Sequence, residues 1–288
     1  MENTSLPNEP NTSEIGYSQV AIVRAKDNHF SASEDFVANE VPVALVFNGI
    51  SHAVMLASPL DLVDFAIGFS FSEGIINQRS EVYEIEEIHH PELGIEVHLT
   101  ISTACFMRLK EHRRSLVGRT GCGICGIESL TSFETNNLPQ QMGASELIDS
   151  PFAISQTALL NAFNELQQAQ AINRITGSMH AAAWINAAGK VLLVREDLGR
   201  HNALDKLIGA IKSAPASYYP NSGCVIMTSR ASYELAQKTA RAGFALLATI
   251  SAPTSLAIKH ADQHGLTLVG FVRKGSLVVY AHPERVIS

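Results

Sequence analysis

The residues best suited to chemistry lie together in Gly121-Cys122-Gly123-Ile124-Cys125-Gly126, the only C-x-x-C in the chain. Cys105 and Cys224 stand apart from it. A cysteine reacts as its thiolate, and nearby positive charge lowers the thiol pKa from its free value near ~8.5. Arg108, Lys110, Arg113, Arg114 and Arg119 all precede Cys122. Gly118, Gly121, Gly123 and Gly126 leave the backbone permissive and the sulfur unshielded. Three uses of this loop compete. A structural zinc site needs four ligands, but there is one Cys pair and no H-x(3–5)-H at a familiar spacing after it. A thioredoxin-type dithiol opens a helix straight after a strand, whereas here glycine flanks both cysteines and no strand precedes them. A carrier thiol that accepts sulfur as a persulfide needs one accessible, low-pKa cysteine, and a second is optional. The plainest alternative is a loop with two inert cysteines. Inert cysteines are usually buried in apolar surroundings, not set among glycines beside arginines.

A second kind of chemistry is suggested where strands end. Glu196-Asp197-Leu198-Gly199-Arg200-His201-Asn202-Ala203-Leu204-Asp205-Lys206 falls at a strand-to-helix junction. Free N–H groups at a helix start, beside Arg200 and His201, make an anion site. Thr228-Ser229-Arg230-Ala231-Ser232 repeats the arrangement after the next strand. Phe271-Val272-Arg273-Lys274-Gly275-Ser276 adds two cations and a glycine in the last hairpin. Each cluster alone reads as ordinary capping and surface charge. Together they favour a phosphate-bearing, nucleotide-like ligand, without a G-x-G-x-x-G or Walker motif. A zinc deaminase would show H-x-E followed by P-C-x-x-C. His180 is followed by Ala181-Ala182 and the C-x-x-C lies upstream, so that reaction is not supported. His180 reads instead as a packing or ligand-orienting residue.

The elements that must position these groups fall into two sets. A polar tail over 1–17 leads to Val41–Phe47 and Ile50–Leu56, joined by Asn48-Gly49, the strongest short hairpin signal. A helix should follow, capped by Ser58, with Pro59 first, Gly74 closing it, and Leu62, Phe65, Ala66 and Phe69 buried. Ile95, Val97, Leu99 and Ile101 alternate as a half-buried strand, and Phe106–Leu116 reads as a basic amphipathic helix. These elements make a small α+β domain over 18–117, with the cysteine loop and linker over 118–151. Over 152–288 strands and helices alternate. Helices are expected at 155–168, 202–211, 232–242 and 254–264, and strands at 181–184, 191–194, 224–228 and 245–250. A hairpin over 266–272 and 277–280 closes the chain. Such an order predicts an α/β fold with a largely parallel layered sheet and ligands at the strand C-termini.

Composition bounds the rest. At 288 residues, 46% apolar and 17% charged, the chain suits about two globular domains. A net charge of -7 argues against a nucleic-acid partner over the whole surface. No apolar run approaches the ~20 residues that cross a bilayer. No basic-then-apolar leader is visible, so a cytoplasmic protein with no membrane partner is expected.

Many of these motifs, in this order, resemble the FdhD family, the formate dehydrogenase accessory sulfurtransferases. The resemblance runs from about Glu40 to Arg285. It rests on Glu40-Val41-Pro42 to Asn48-Gly49, Gly68–Ile76, Arg119–Gly126, Thr176-Gly177 with His180-Ala181-Ala182, Glu196–Lys206, Ser229–Glu234 and Leu266–Phe271. The resemblance implies a persulfide carrier that takes sulfur from a cysteine desulfurase. It implies delivery to the Mo-bis(molybdopterin guanine dinucleotide) cofactor, a bound substrate that then serves the formate dehydrogenase apoprotein. Cys122 would be the carrier and Cys125 supportive. The guanine nucleotide would be held by Phe271 to Ser276, with Arg200, His201, Ser229 and Arg230 as further candidates by position. A second domain similar to the cytidine deaminase fold without its zinc, no resident metal, and a homodimer are also implied.

Overall fold

A computed structural model of the chain describes residues 16–114, 147–214 and 223–288. Tight turns set its first part. Asn48 and Gly49 both take positive φ, 46° and 78°, so β3 (Val41–Phe47) folds straight back onto β4 (Ile50–Ala57). Asp27 and Asn28 do the same for β1 (Tyr17–Lys26) and β2 (His29–Ala38). That hairpin has no glycine in its turn and no clean alternation to announce it in the sequence. With β5 (Val82–His90) and β6 (Gly94–Ile101), a four-stranded sheet forms in the order β4-β3-β6-β5. Val43, Leu45, Phe47, Val97 and Leu99 pack against Leu62, Phe65 and Phe69 of α1 (Leu62–Ser72) and Cys105 and Leu109 of α2 (Thr103–Arg114). The buried face of α1 is the expected one, and Gly74 follows its end at φ 69°. Its start is not. The helix opens three residues after Pro59, on Asp61 at φ 55°, while Ser58 is fully buried and its hydroxyl meets Lys206 Nζ at 2.7 Å.

The second part is a six-stranded sheet in the order β13-β12-β11-β10-β8-β9. Its strands are β8 (His180–Asn186), β9 (Val191–Asp197), β10 (Gly223–Met227), β11 (Leu246–Thr249), β12 (Thr267–Arg273) and β13 (Ser276–Ala281). The helices between them are α3 (Gln156–Ala169), α4 (Asn173–Thr176), α5 (Arg200–Ser213), α6 (Tyr233–Arg241) and α7 (Ser255–His264). The short pair β7 (Ile154–Ser155) and β14 (Val286–Ile287) completes the fold. The sheet is mixed rather than largely parallel. Only β10–β11 and β11–β12 pair parallel, each joined by a crossover helix; α5 also links β9 to β10, but β8 lies between those two strands. The β8–β9 and β12–β13 connections are too short for anything but hairpins, closing at Gly189 and at Lys274-Gly275. Leu204, Leu207, Leu235, Ala236, Ala257 and Ala261 bring α5, α6 and α7 onto one face. Leu159, Phe163 and Leu166 bring α3 onto the other.

Where the two parts meet, α1 and α5 touch backbone to backbone. A Cβ at Gly68 would lie 1.7 Å from the Asp205 carbonyl oxygen, and one at Gly209 1.8 Å from that of Asp64. Only glycine allows that approach. Among the described residues no helix is long and apolar enough to cross a membrane.

Candidate functional site

One edge of the six-stranded sheet gathers every described segment that the sequence singled out. The parallel strands β10, β11 and β12 all end there. Because β8 is antiparallel to β10, it begins there with His180. Because β9 is antiparallel to β8, it ends there with Asp197, opposite His180. Hydrogen bonds stitch the loops of this edge together. Thr228 N–H donates to the Ala181 carbonyl (3.1 Å), and Ala181 N–H donates to Thr228 Oγ1 (2.9 Å). Thr254 N–H donates to the Ala231 carbonyl (2.9 Å), and Phe271 N–H to that of Ser251 (3.3 Å).

At the β12 end the strand is bulged between Gly270 and Arg273, and Phe271 is held at φ 53°. A bulky residue there is uncommon and costs on the order of 1 kcal/mol or more. Gly270 is pressed against the neighbouring loop, where a Cβ would stand 3.0 Å from both Pro253 Cδ and the Ser251 carbonyl oxygen. The Arg273 guanidinium lies 5.2 Å above the Phe271 ring. Lys274 and Gly275 form the turn at φ 52° and 76°, and Ser276 Oγ donates to the Arg273 carbonyl at 3.2 Å. Val272 is buried in the core beneath. The segment therefore offers a ligand an aromatic ring, two exposed cations and an open turn. Ser229 is buried, with its hydroxyl donating to the Arg230 carbonyl at 3.1 Å, while Arg230 is exposed.

At the β9 end the structure redistributes the polar run from Glu196 to Lys206. Most of it holds the protein together and does not face a ligand. Glu196 accepts from Ile172 and Asn173 N–H at 3.0 and 2.9 Å, just at the start of α4. Asp197 is fully buried, 2.7 Å from the equally buried Lys206 Nζ. It also accepts from the N–H groups of Ser58 and Gly199 and from Asn202 Nδ2. Asn202 Nδ2 donates in addition to the Leu56 carbonyl. Asp205 receives Lys238 Nζ at 2.9 and 3.1 Å, and Lys238 also meets Ser72 Oγ (2.7 Å) and Glu73 (3.0 Å). Burial works against the Lys238 ammonium, but Asp205 and Glu73 overcome it and hold its pKa above the usual lysine value.

Arg200 and His201 remain at the first turn of α5. His201 pairs with Glu234 on α6, and that hydrogen bond, aided by Arg200, holds the Glu234 carboxyl below its usual range. Burial pulls the His180 pKa down, and the positive charges of Arg200 and His201 add to the effect. A cleft of about 240 Å³ opens here, lined by Met55, Leu56, Gly199, His201, Asn202 and Glu234 among others. Glu234 and Lys238 were not singled out as site residues from the sequence, since each reads as an ordinary helix charge. Cys122 and Cys125 lie outside the described residues. Cys224 is buried in β10, where burial raises its pKa. Burial likewise raises that of Cys105, whose sulfur is 3.1 Å from Arg108.

Fold and site together define a mixed α/β protein with a basic strand edge. The chain belongs to the FdhD/NarQ family, whose model matches residues 38–287. It is 53% identical over 269 residues to the sulfur carrier protein FdhD of Cupriavidus necator, spanning 93% of this chain and 90% of that one. It is 50% identical over 288 residues to the protein of the same name from Variovorax paradoxus, spanning 99% and 97%. The fold is similar to that of a putative formate dehydrogenase accessory protein from Desulfotalea psychrophila. The TM-score is 0.71 at 22% identity, covering 94% of this chain and 99% of that one.

Proposed function

We propose that this chain is a sulfur carrier for the maturation of formate dehydrogenase, with Cys122 as the carrying residue. The observation that carries the reading is a glycine-set C-x-x-C behind a run of arginines, in a chain alike over nearly its whole length to proteins named sulfur carriers. In the proposed step the Cys122 thiolate attacks the outer sulfur of a persulfide on a cysteine desulfurase. A new S–S bond forms at Cys122, and the desulfurase cysteine leaves as its thiolate. Cys122 then gives that sulfur up to the metal of the Mo-bis(molybdopterin guanine dinucleotide) substrate: the S–S bond breaks, Cys122 leaves as its thiolate, and the substrate metal, arriving reduced, supplies the two electrons that make the sulfur a sulfide ligand. Cys125 supports the exchange. The basic edge is the proposed seat of the anionic cofactor. Its guanine end lies at Phe271–Ser276, where a ring, two cations and an open turn suit a nucleotide. A cytoplasmic homodimer and a kinship of the second part with the cytidine deaminase fold, without its zinc, belong to the same reading.

The test is mass spectrometry of the protein after incubation with a cysteine desulfurase and cysteine. One added sulfur on Cys122 is expected, and none in Cys122→Ala. An unmodified Cys122 beside a competent desulfurase overturns the reading. So does a Cys122→Ala protein that still activates formate dehydrogenase, which would indicate a cofactor chaperone instead.

A further inference from the structure

The β1–β2 hairpin stands away from the body as an arm. Its root is tied down: Asn39 N–H donates to the Gly16 carbonyl at 3.1 Å, and Ser18 Oγ donates to Asn39 Oδ1 at 2.6 Å. Beyond the root every residue from Val23 to Ala32 is exposed. The register sets Val23 beside Ala32 and Ala25 beside Phe30 on one face, with Ala21 and Phe36 further along it. Phe30 is 77% exposed and Val23 67%. The one charge on that face, Glu34, accepts from Gln19 Nε2. A two-stranded sheet by itself is marginal in water, and a contiguous apolar face on it marks a surface that a partner covers.

The four-stranded sheet has an open face too. Helices α1 and α2 pack on one side of it. On the other, Val54 of β4, Ala44 of β3, Glu96 of β6 and Ile88 of β5 form one row, beside Leu56 and Pro42. Val54 is 61% exposed and Leu56 57%. This face is apolar at β4 and acidic toward β5, where Glu84 and Glu86 are exposed. Within one chain the two open faces leave each other uncovered.

We propose that a second copy of the chain covers both: the apolar face of each arm lies across the outer face of the other copy's four-stranded sheet, about a two-fold axis. Such an exchange is reciprocal and closed, so no open face is left to recruit a third copy. The dimensions allow it. Ten residues of strand reach about 34 Å, and four strands at ~4.8 Å spacing are about 14 Å across. The charges agree. From Val23 to Ala32 the arm carries Arg24 and Lys26 against Asp27 alone, in a chain whose net charge is -7, and its tip meets the side of Glu84 and Glu86. Val23 and Phe30 meet Val54. This surface deepens the proposed homodimer and rests on that part of the proposed function, not on the sulfur chemistry.

Sedimentation velocity of the full chain measures the exchange. The unaltered protein should sediment as a dimer. Phe30→Glu on the arm and Val54→Glu on the sheet should each weaken the dimer about thirtyfold or more, since each spoils both contacts. Both side chains stand in water, so neither change threatens the fold, and unaltered Trp184 fluorescence checks this. The decisive sample mixes the two variants. A Phe30→Glu copy keeps its sheet and a Val54→Glu copy keeps its arm, so the mixture regains one intact contact and should associate more tightly than either variant alone. A dimer indifferent to either change overturns the proposal and leaves the homodimer standing on another surface. So does a mixture no tighter than its components, which places the arm against something other than the partner's sheet. A monomer in the unaltered protein overturns the homodimer itself, and the proposal with it. Sulfur loading of Cys122, read by mass spectrometry, is untouched by any of these results.

Discussion

His260 packs its ring between α7 and the start of α6. It is 4% exposed, stacks on His264 with ring centroids 4.0 Å apart, and meets Tyr233 edge-on at 5.2 Å. Its Nε2 is buried with no hydrogen-bond partner among the described residues. Burial, and after it the charge of His264, pulls its pKa from 6.5 to about 4. The unfolded chain therefore takes up this proton before the folded one does. The stability His260 contributes is complete above its unfolded pKa and drains away as pH falls from there toward the folded value. Over that window the loss is about 3 kcal/mol. Urea titrations at neutral pH and at about pH 4.5, near the lower end of this window, would capture most of it. His260→Phe should flatten the difference between the two pH values, whatever its stability at neutral pH. An acid loss of the same size in that variant would assign the sensitivity to other groups.

Among the elements, the α1–α5 crossing is the least forgiving contact. At Gly68 and Gly209 an added methyl meets a carbonyl oxygen that is fixed in the facing helix. Gly68→Ala should cost about 3 kcal/mol or more by forcing the helices apart. Gly275→Ala, with open space around it but φ at 76°, should cost only about 1–2 kcal/mol of backbone strain. Thermal unfolding of the two variants side by side tests the ranking, and equal losses would mean that the helices part easily. Nothing in the sequence around Gly68 announced this role, because a glycine inside a helix reads only as a weak helix former. Turns were legible where one dipeptide suffices, as at Asn48-Gly49. Helix starts at 155 and 254 were legible too, and the structure makes Ser155 and Thr254 their caps, each accepting from the N–H three residues on. Ser58 misled for a physical reason. Its hydroxyl is a good cap by type, but a buried lysine from a distant helix claims it. The run from Glu196 to Lys206 misled likewise. Its residue types suit an anion, yet several of its partners lie more than a hundred residues away in sequence, at Leu56 on β4, at Ser58 just after it and at Ser72 on α1. Arg200 and His201 were readable as cations at a helix start, whereas Glu234 became visible only once α6 was seen beside α5.

Across the whole molecule, those misread polar residues join the two sheets. Three sets of contacts cross from the β4–α1 region to the second part. Arg195 holds Asp64 at 2.6 Å, Lys206 and Asp197 grip Ser58, and Lys238 ties Asp205 to Ser72 and Glu73. The Lys206–Asp197 pair is the most deeply buried of them. Two charges taken out of water together add little net stability, but removing one partner strands the other, at about 3–5 kcal/mol. Lys206→Met should therefore lose that much, and the double change Asp197→Asn with Lys206→Met should recover most of it. Trp184, buried against Phe244 with ring centroids 4.8 Å apart, reports the second part by fluorescence. Amide exchange in β3 and β6 reports the first. Because Lys206 bonds Ser58 in one part and Asp197 in the other, both probes should show the same loss in Lys206→Met. A loss confined to one of them would mean that the two sheets unfold separately and that the clamp orients the strand edge without unifying the fold.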